Sequence, residues 1–146
     1  MKMHTPDPRP GKRRWYCGPF AFAAITGHDF ENTRAYINAA KGRGENTGVM
    51  GTSDSEMRRA LILAGYDLKL HYKAVGEYSK RTLNTWMKEL NKDDDSLYLV
   101  EVTGHWIVLQ GRSKMIDNHT EWPVAAFAGP WQRKQIKQAF RVVKKY

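Results

Sequence analysis

Cysteine is almost absent: Cys17 is the one thiol in the chain. That excludes an intramolecular disulfide and any multi-cysteine zinc knuckle. Long hydrophobic runs are missing too, since no apolar stretch approaches the ~18–20 residues of a membrane span. Residues 1–14 are polar and proline-bearing, unlike a secretory signal. The expectation is a protein of the reducing cytoplasm with no membrane partner. Acidic residues are scarce, with 15 Asp and Glu against 24 Lys and Arg, a net charge of +9. The excess gathers at the two ends: Lys2, Arg9, Lys12, Arg13 and Arg14, then Arg133, Lys134, Lys137, Arg141, Lys144 and Lys145. Such a balance favours acidic partners such as nucleic acid, phosphorylated surfaces or acidic proteins, and says nothing about fold.

What is present is globular composition. Aromatics at 12% and charged residues at 27% argue against disorder, and 146 residues suffice for one domain with a real core. Residues 1–14 read as a basic flexible arm and 15–146 as a single domain. Pro19 suits the first turn of a helix running to Gly27, apolar nearly all round and therefore buried. A second helix is expected over 30–41, ending at Gly42. Residues 42–51 form a glycine-rich loop that lacks the strand and the Gly-Lys-Ser/Thr of a phosphate loop. A third helix starts at Ser53 or Thr52, with Glu56 in the capping-box position relative to Ser53, and ends at Gly65.

The period then changes. Leu68 to Tyr72 alternates as a strand, and 80–91 reads as a helix with Leu83, Trp86, Met87 and Leu90 on one face. Leu97 to Val102 and Trp106 to Leu109 are rich in β-branched and aromatic residues and read as strands. Gly111-Arg112 forms a two-residue hairpin loop, returning through Lys114 to Asp117. Val124 to Phe127 and Ala139 to Val143 are expected as edge strands. Helices followed by an antiparallel sheet make an α+β order. Trp122-Pro123 and Gly129-Pro130-Trp131 read as aromatic turns engaged in core or edge packing.

Three places can carry chemistry. Cys17 opens the buried helix, where free N–H groups and the helix dipole favour a thiolate. His105 stands at the mouth of a strand, on the rigid support a general base requires. Asp117-Asn118 ends the returning strand. With a two-residue loop, Gln110 pairs with Ser113 and His105 faces Asn118; a one-residue bulge would bring Asp117 there instead. Either can accept from the imidazole and fix its tautomer. A thiol, an imidazole and an orienting carboxylate or amide together make a cysteine-nucleophile triad. Lys12, Arg13 and Arg14, directly ahead of the nucleophile, are expected to rim its cleft, favour acidic substrates and promote the thiolate.

Cys17-Gly18-Pro19, Gly51-Thr52-Ser53 opening a helix that closes on Ala64-Gly65-Tyr66, Gly104-His105-Trp106-Ile107-Val108-Leu109 and Ile116-Asp117 resemble the papain-like cysteine peptidases. The resemblance is closest to the C39-like (bacteriocin-processing) group and spans about residues 15–118. It implies a papain-like α+β fold in which Cys17 is the nucleophile, His105 the general base and Asp117 the residue that orients His105, with Asn118 in reserve. It implies a peptide or protein substrate, with no metal or organic cofactor. It implies a free-standing small module similar to ones carried by phages, lacking the membrane and ATP-binding parts of an exporter. One feature departs from the family. The oxyanion-donating Gln about six residues before the Cys is replaced by Gly11, and no Gln or Asn lies between Met1 and Cys17. Lys12, Arg13 or the Cys17 backbone N–H would have to serve. This departure keeps a catalytically weak or inactive binding module open as an alternative, and the basic ends keep open a nucleic-acid-binding protein.

Overall fold

In the computed structural model the described residues are 1–9, 11, 14–44, 48, 51–75 and 81–145. Helix α1 (Cys17–Thr26) starts without a side-chain cap and is buried from Gly18 to Ile25. Its all-apolar surface demands cover on every side. Helix α2 (Phe30–Lys41) is capped by Asp29, whose carboxylate accepts from the Asn32 N–H. Helix α3 (Asp54–Leu63) begins with the full Ser53/Glu56 capping box. It stops at Leu63, and strand β1 (Tyr66–Lys73) starts two residues before the expected Leu68. Helix α4 (Leu83–Glu89) is shorter than the expected 80–91, because Thr82 caps it by accepting from the Thr85 N–H.

The remaining strands are β2 (Leu97–Val102), β3 (His105–Gln110), β4 (Lys114–Ile116), β5 (Val124–Ala125) and β6 (Ile136–Lys144). They form one six-stranded antiparallel sheet in the order β1-β6-β2-β3-β4-β5. The architecture is α+β. Helices α1 to α3 cover one face, where Phe20, Met57 and Leu61 meet Leu99, Trp106, Val108 and Phe140. Helix α4 covers the other, where Leu83, Trp86 and Met87 meet Val100, Ile107 and Leu109.

Three expectations need correction. The segment expected as an edge strand at Ala139–Val143 is interior: β6 pairs with β1 on one side and β2 on the other. Pairing on both flanks buries Ala139, Phe140 and Val142. The segment expected as a strand from Val124 to Phe127 keeps two strand residues and then turns into a 3-10 helix, Ala126–Ala128. The β3–β4 hairpin has a three-residue loop, because Gln110 pairs with Lys114 rather than Ser113. Gly111, at φ 53°, is pressed against the 94–96 backbone, where its N–H donates to the Ser96 carbonyl at 2.8 Å. A Cβ there would lie 1.9 Å from the Asp94 carbonyl oxygen.

Residues 1–9, expected as a flexible arm, lie along the domain. The His4 N–H donates to the Ala24 carbonyl at 2.7 Å. The Met3 N–H donates to Gln110 Oε1 at 3.2 Å, and Trp15 Nε1–H to the Asp7 carbonyl at 2.8 Å.

Candidate active site

The site forms where the start of α1 meets the start of β3. Cys17 is the first residue of α1 and is half-buried. Gly18 lets the segment before α3 press close: an added Cβ would sit 2.6 Å from Thr52 Oγ1. The carbonyl of Thr52 accepts from Trp106 Nε1–H at 3.0 Å. Thr52 thus touches the helix that carries Cys17 and the strand that carries His105.

His105 is 7% exposed. Its Nε2 meets Asp117 Oδ2 at 2.8 Å, and the ring lies close enough to Cys17 for each to shift the other's ionisation. Asp117 is buried, and its carboxylate is saturated with donors. Oδ1 accepts from the His119 N–H at 3.0 Å and the Thr120 N–H at 2.8 Å, while Oδ2 also accepts from Trp131 Nε1–H. The Trp131 ring lies over His105, with centroids 4.3 Å apart and planes 31° apart.

The electrostatics favour a thiolate–imidazolium pair. Burial opposes the charged sulfur, but hydrogen bonds from His105 and from the Trp106 and Gly18 backbone hold the Cys17 thiol below its ordinary 9.0. Burial likewise opposes a charged imidazole, yet the bonds to Asp117 and Cys17 push His105 up from 6.5 to about 9. Asp117 is held below 3.8: burial raises it, and the His105, Thr120 and Trp131 hydrogen bonds outweigh that effect. Each charge is stabilised by the next, the condition for keeping charged groups out of water.

Asn118 is placed elsewhere. Its Nδ2 donates to the Trp15 carbonyl at 2.9 Å, two residues ahead of Cys17. The longer hairpin loop is the reason. It shifts the register by one residue, so His105 and Asp117 share one face of the sheet and Asn118 takes the other.

Lys12 and Arg13 lie outside the described residues. Arg14 donates through Nη1 to His119 Nδ1 at 3.3 Å and pairs with Glu121 at 3.8 Å. Trp131 was missed as a site residue by sequence reasoning. The signal was an aromatic in a Gly-Pro-Trp turn, which is too common to mark a partner of a buried carboxylate. Trp122, expected to pack, is 66% exposed.

Among the described residues, no group of three or more His, Cys, Asp or Glu is placed to hold a metal ion. None of the described helices is long and apolar enough to cross a membrane. No family model, curated protein or solved structure matches the chain.

Proposed function

We propose that this protein is a papain-like cysteine peptidase or amide hydrolase, resembling the bacteriocin-processing group and working on a peptide or protein substrate through an acyl-enzyme. The observation that carries this reading is the 2.8 Å contact between His105 and the buried Asp117, with Cys17 near enough to His105 for each to shift the other's ionisation. The Cys17 thiolate attacks the acyl carbon and forms a thioester. The His105 imidazolium gives its proton to the leaving amine. Neutral His105 then takes a proton from water, whose oxygen attacks the thioester and releases the acid and the thiol. Asp117 stabilises the imidazolium and fixes the ring, and Trp131 lies over His105 while donating to Asp117.

The oxyanion is the weak part of the site. Gly11 is exposed and offers no side chain where a donor would be expected. The Cys17 N–H at the start of α1 remains as a donor. Loss of one donor from such a hole typically slows acyl transfer ~100–1000-fold, so the enzyme should be slow.

The test is in two steps, both read by intact mass. Iodoacetamide at pH 6 should label native Cys17 quickly, and an activated acyl ester added to a separate, unalkylated sample should give a single acyl adduct lost on Cys17→Ala. Labelling that requires denaturation would reject the thiolate. Labelling without acylation would leave a thiol-bearing binding module on the same fold.

A further inference from the structure

The two edges of the sheet are unequal. At one end β5 is 2 residues long; at the other β1 runs for 8, from Tyr66 to Lys73. The Lys145 N–H donates to the Gly65 carbonyl, and Tyr66, Asp67 and Lys69 stand opposite Lys144, Val143 and Arg141. In an antiparallel pair, alternate residues turn their backbone groups toward the partner strand. Asp67 and Lys69 therefore bond to β6 through the backbone, while Tyr66, Leu68 and Leu70 turn their N–H and carbonyl groups outward. The outward N–H of Leu68 is held by Asp67 Oδ1 at 2.8 Å. A long edge with outward backbone groups is a template for another strand.

The surroundings of this edge are apolar. Ile62, Leu63, Leu70 and Val75 are all exposed, half of the large apolar side chains left open among the described residues. They lie at the end of α3, on β1 or just beyond it, and Ile62 and Leu70 line one groove with Arg58 and Arg59. Such a concentration marks an interaction surface.

The charges along β1 say what covers it. Asp67 and Lys69 share the face of the strand that Leu68 does not use. Within its own sheet Lys69 stands across from Arg141, a like charge, and Asp67 from Val143. When β1 is paired antiparallel with itself about Leu68, Tyr66 exchanges backbone bonds with Leu70 of the second copy, and each Asp67 faces a Lys69. The charged pair falls at a position without backbone bonds, where opposed side chains approach most closely. The twofold symmetry supplies it twice. Leu68 N–H then bonds to the Leu68 carbonyl of the second copy, and Asp67 is released to meet Lys69.

We propose that β1 is a homodimer interface: two copies of this chain pair antiparallel about Leu68 and join their sheets, with Asp67 of each facing Lys69 of the other. Strands β6 and β2 separate β1 from β3, so the interface is independent of the proposed chemistry. The full chain is followed by sedimentation velocity from ~10 µM to ~1 mM in ~0.15 M salt, which screens the net charge of +9 beyond about 8 Å. The paired segment is short, so a weak dimer is expected, with a dissociation constant on the order of 100 µM. Asp67→Lys or Lys69→Asp alone sets like charges opposite each other twice and should weaken association ~5–30-fold, and the two together should restore it. Lys69→Asp also meets Arg141 with an opposite charge, so its urea midpoint should hold and lost association would not be lost folding. Hydrogen exchange locates the contact, since the Leu70 amide should gain protection as concentration rises. A monomer throughout, association that the single variants leave unchanged or strengthen, no restoration in the double variant, or an unchanged Leu70 amide would each overturn the interface.

Discussion

Replacing Asp117 by Asn keeps the shape of the side chain and removes its charge. In the native protein the carboxylate receives four donors: His105 Nε2, Trp131 Nε1 and the N–H groups of His119 and Thr120. An amide brings one oxygen and an NH₂ into a place built for two acceptors, so one or more donors must face another donor. A hydrogen bond to a charged partner contributes ~1.5–3 kcal/mol, which converts to a fall of ~1–2 pH units in the His105 ionisation. NMR titration of the His105 ring measures it directly. The wild-type inflection is expected at about 9, and the variant's should be lower. The sign for stability follows. A folded pKa raised from 6.5 to about 9 stabilises the protein fully below 6.5, and that contribution is lost as pH rises through about 9. Asp117 itself, held below 3.8, contributes above that value and loses its effect as pH falls through its folded pKa. The stability gap between wild type and Asp117→Asn in urea should therefore be widest between about 4 and 6.5 and should narrow as pH rises through about 9. An unchanged His105 inflection in the variant, or a wild-type inflection near 6.5, would refute the reasoning.

Trp106→Phe removes the donor to the Thr52 carbonyl and keeps the ring; it should cost ~0.5–1.5 kcal/mol in urea unfolding and slow iodoacetamide labelling of Cys17 at pH 6. Gly18→Ala forces a methyl to within 2.6 Å of Thr52 Oγ1; it should destabilise by ~1–3 kcal/mol, although Ala is the better helix former, and a neutral result in urea unfolding would show that Thr52 can yield. Trp131→Phe keeps the ring over His105 but withdraws one donor from Asp117; the His105 inflection should rise slightly, because a carboxylate with fewer donors leans harder on the imidazolium, and a fall would contradict that account. Ser53→Ala breaks the capping box at the start of α3 and should lower stability by ~1 kcal/mol, read as a drop in the urea midpoint with the labelling rate of Cys17 unchanged.

Local chemistry wrote much of this fold into the sequence. Pro19 lies in the first turn of α1 and Gly27 stops it, Ser53 and Glu56 start α3, and the Leu-, Tyr- and Val-rich run at 97–102 is a strand because each choice is decided within a few residues. Cys17 and His105 were legible for the same reason: one begins a helix and the other begins a strand. Hairpin register by itself left the third member open, although the family resemblance pointed to Asp117, since Asp117 and Asn118 are adjacent and a single step of register exchanges their faces. That step was decided at a distance. The Asp94–Ser96 backbone presses on Gly111 and accepts its N–H, giving a three-residue loop that turns Asp117 toward His105 and Asn118 toward Trp15. Trp131 reaches Asp117, and Thr52 reaches Trp106, only because segments 14 and 54 residues apart meet in space. Periodicity and capping act along the chain and can be read from it. Register, close approach and shared hydrogen bonds are set by whichever distant backbone arrives, and they appear only once the layers have packed.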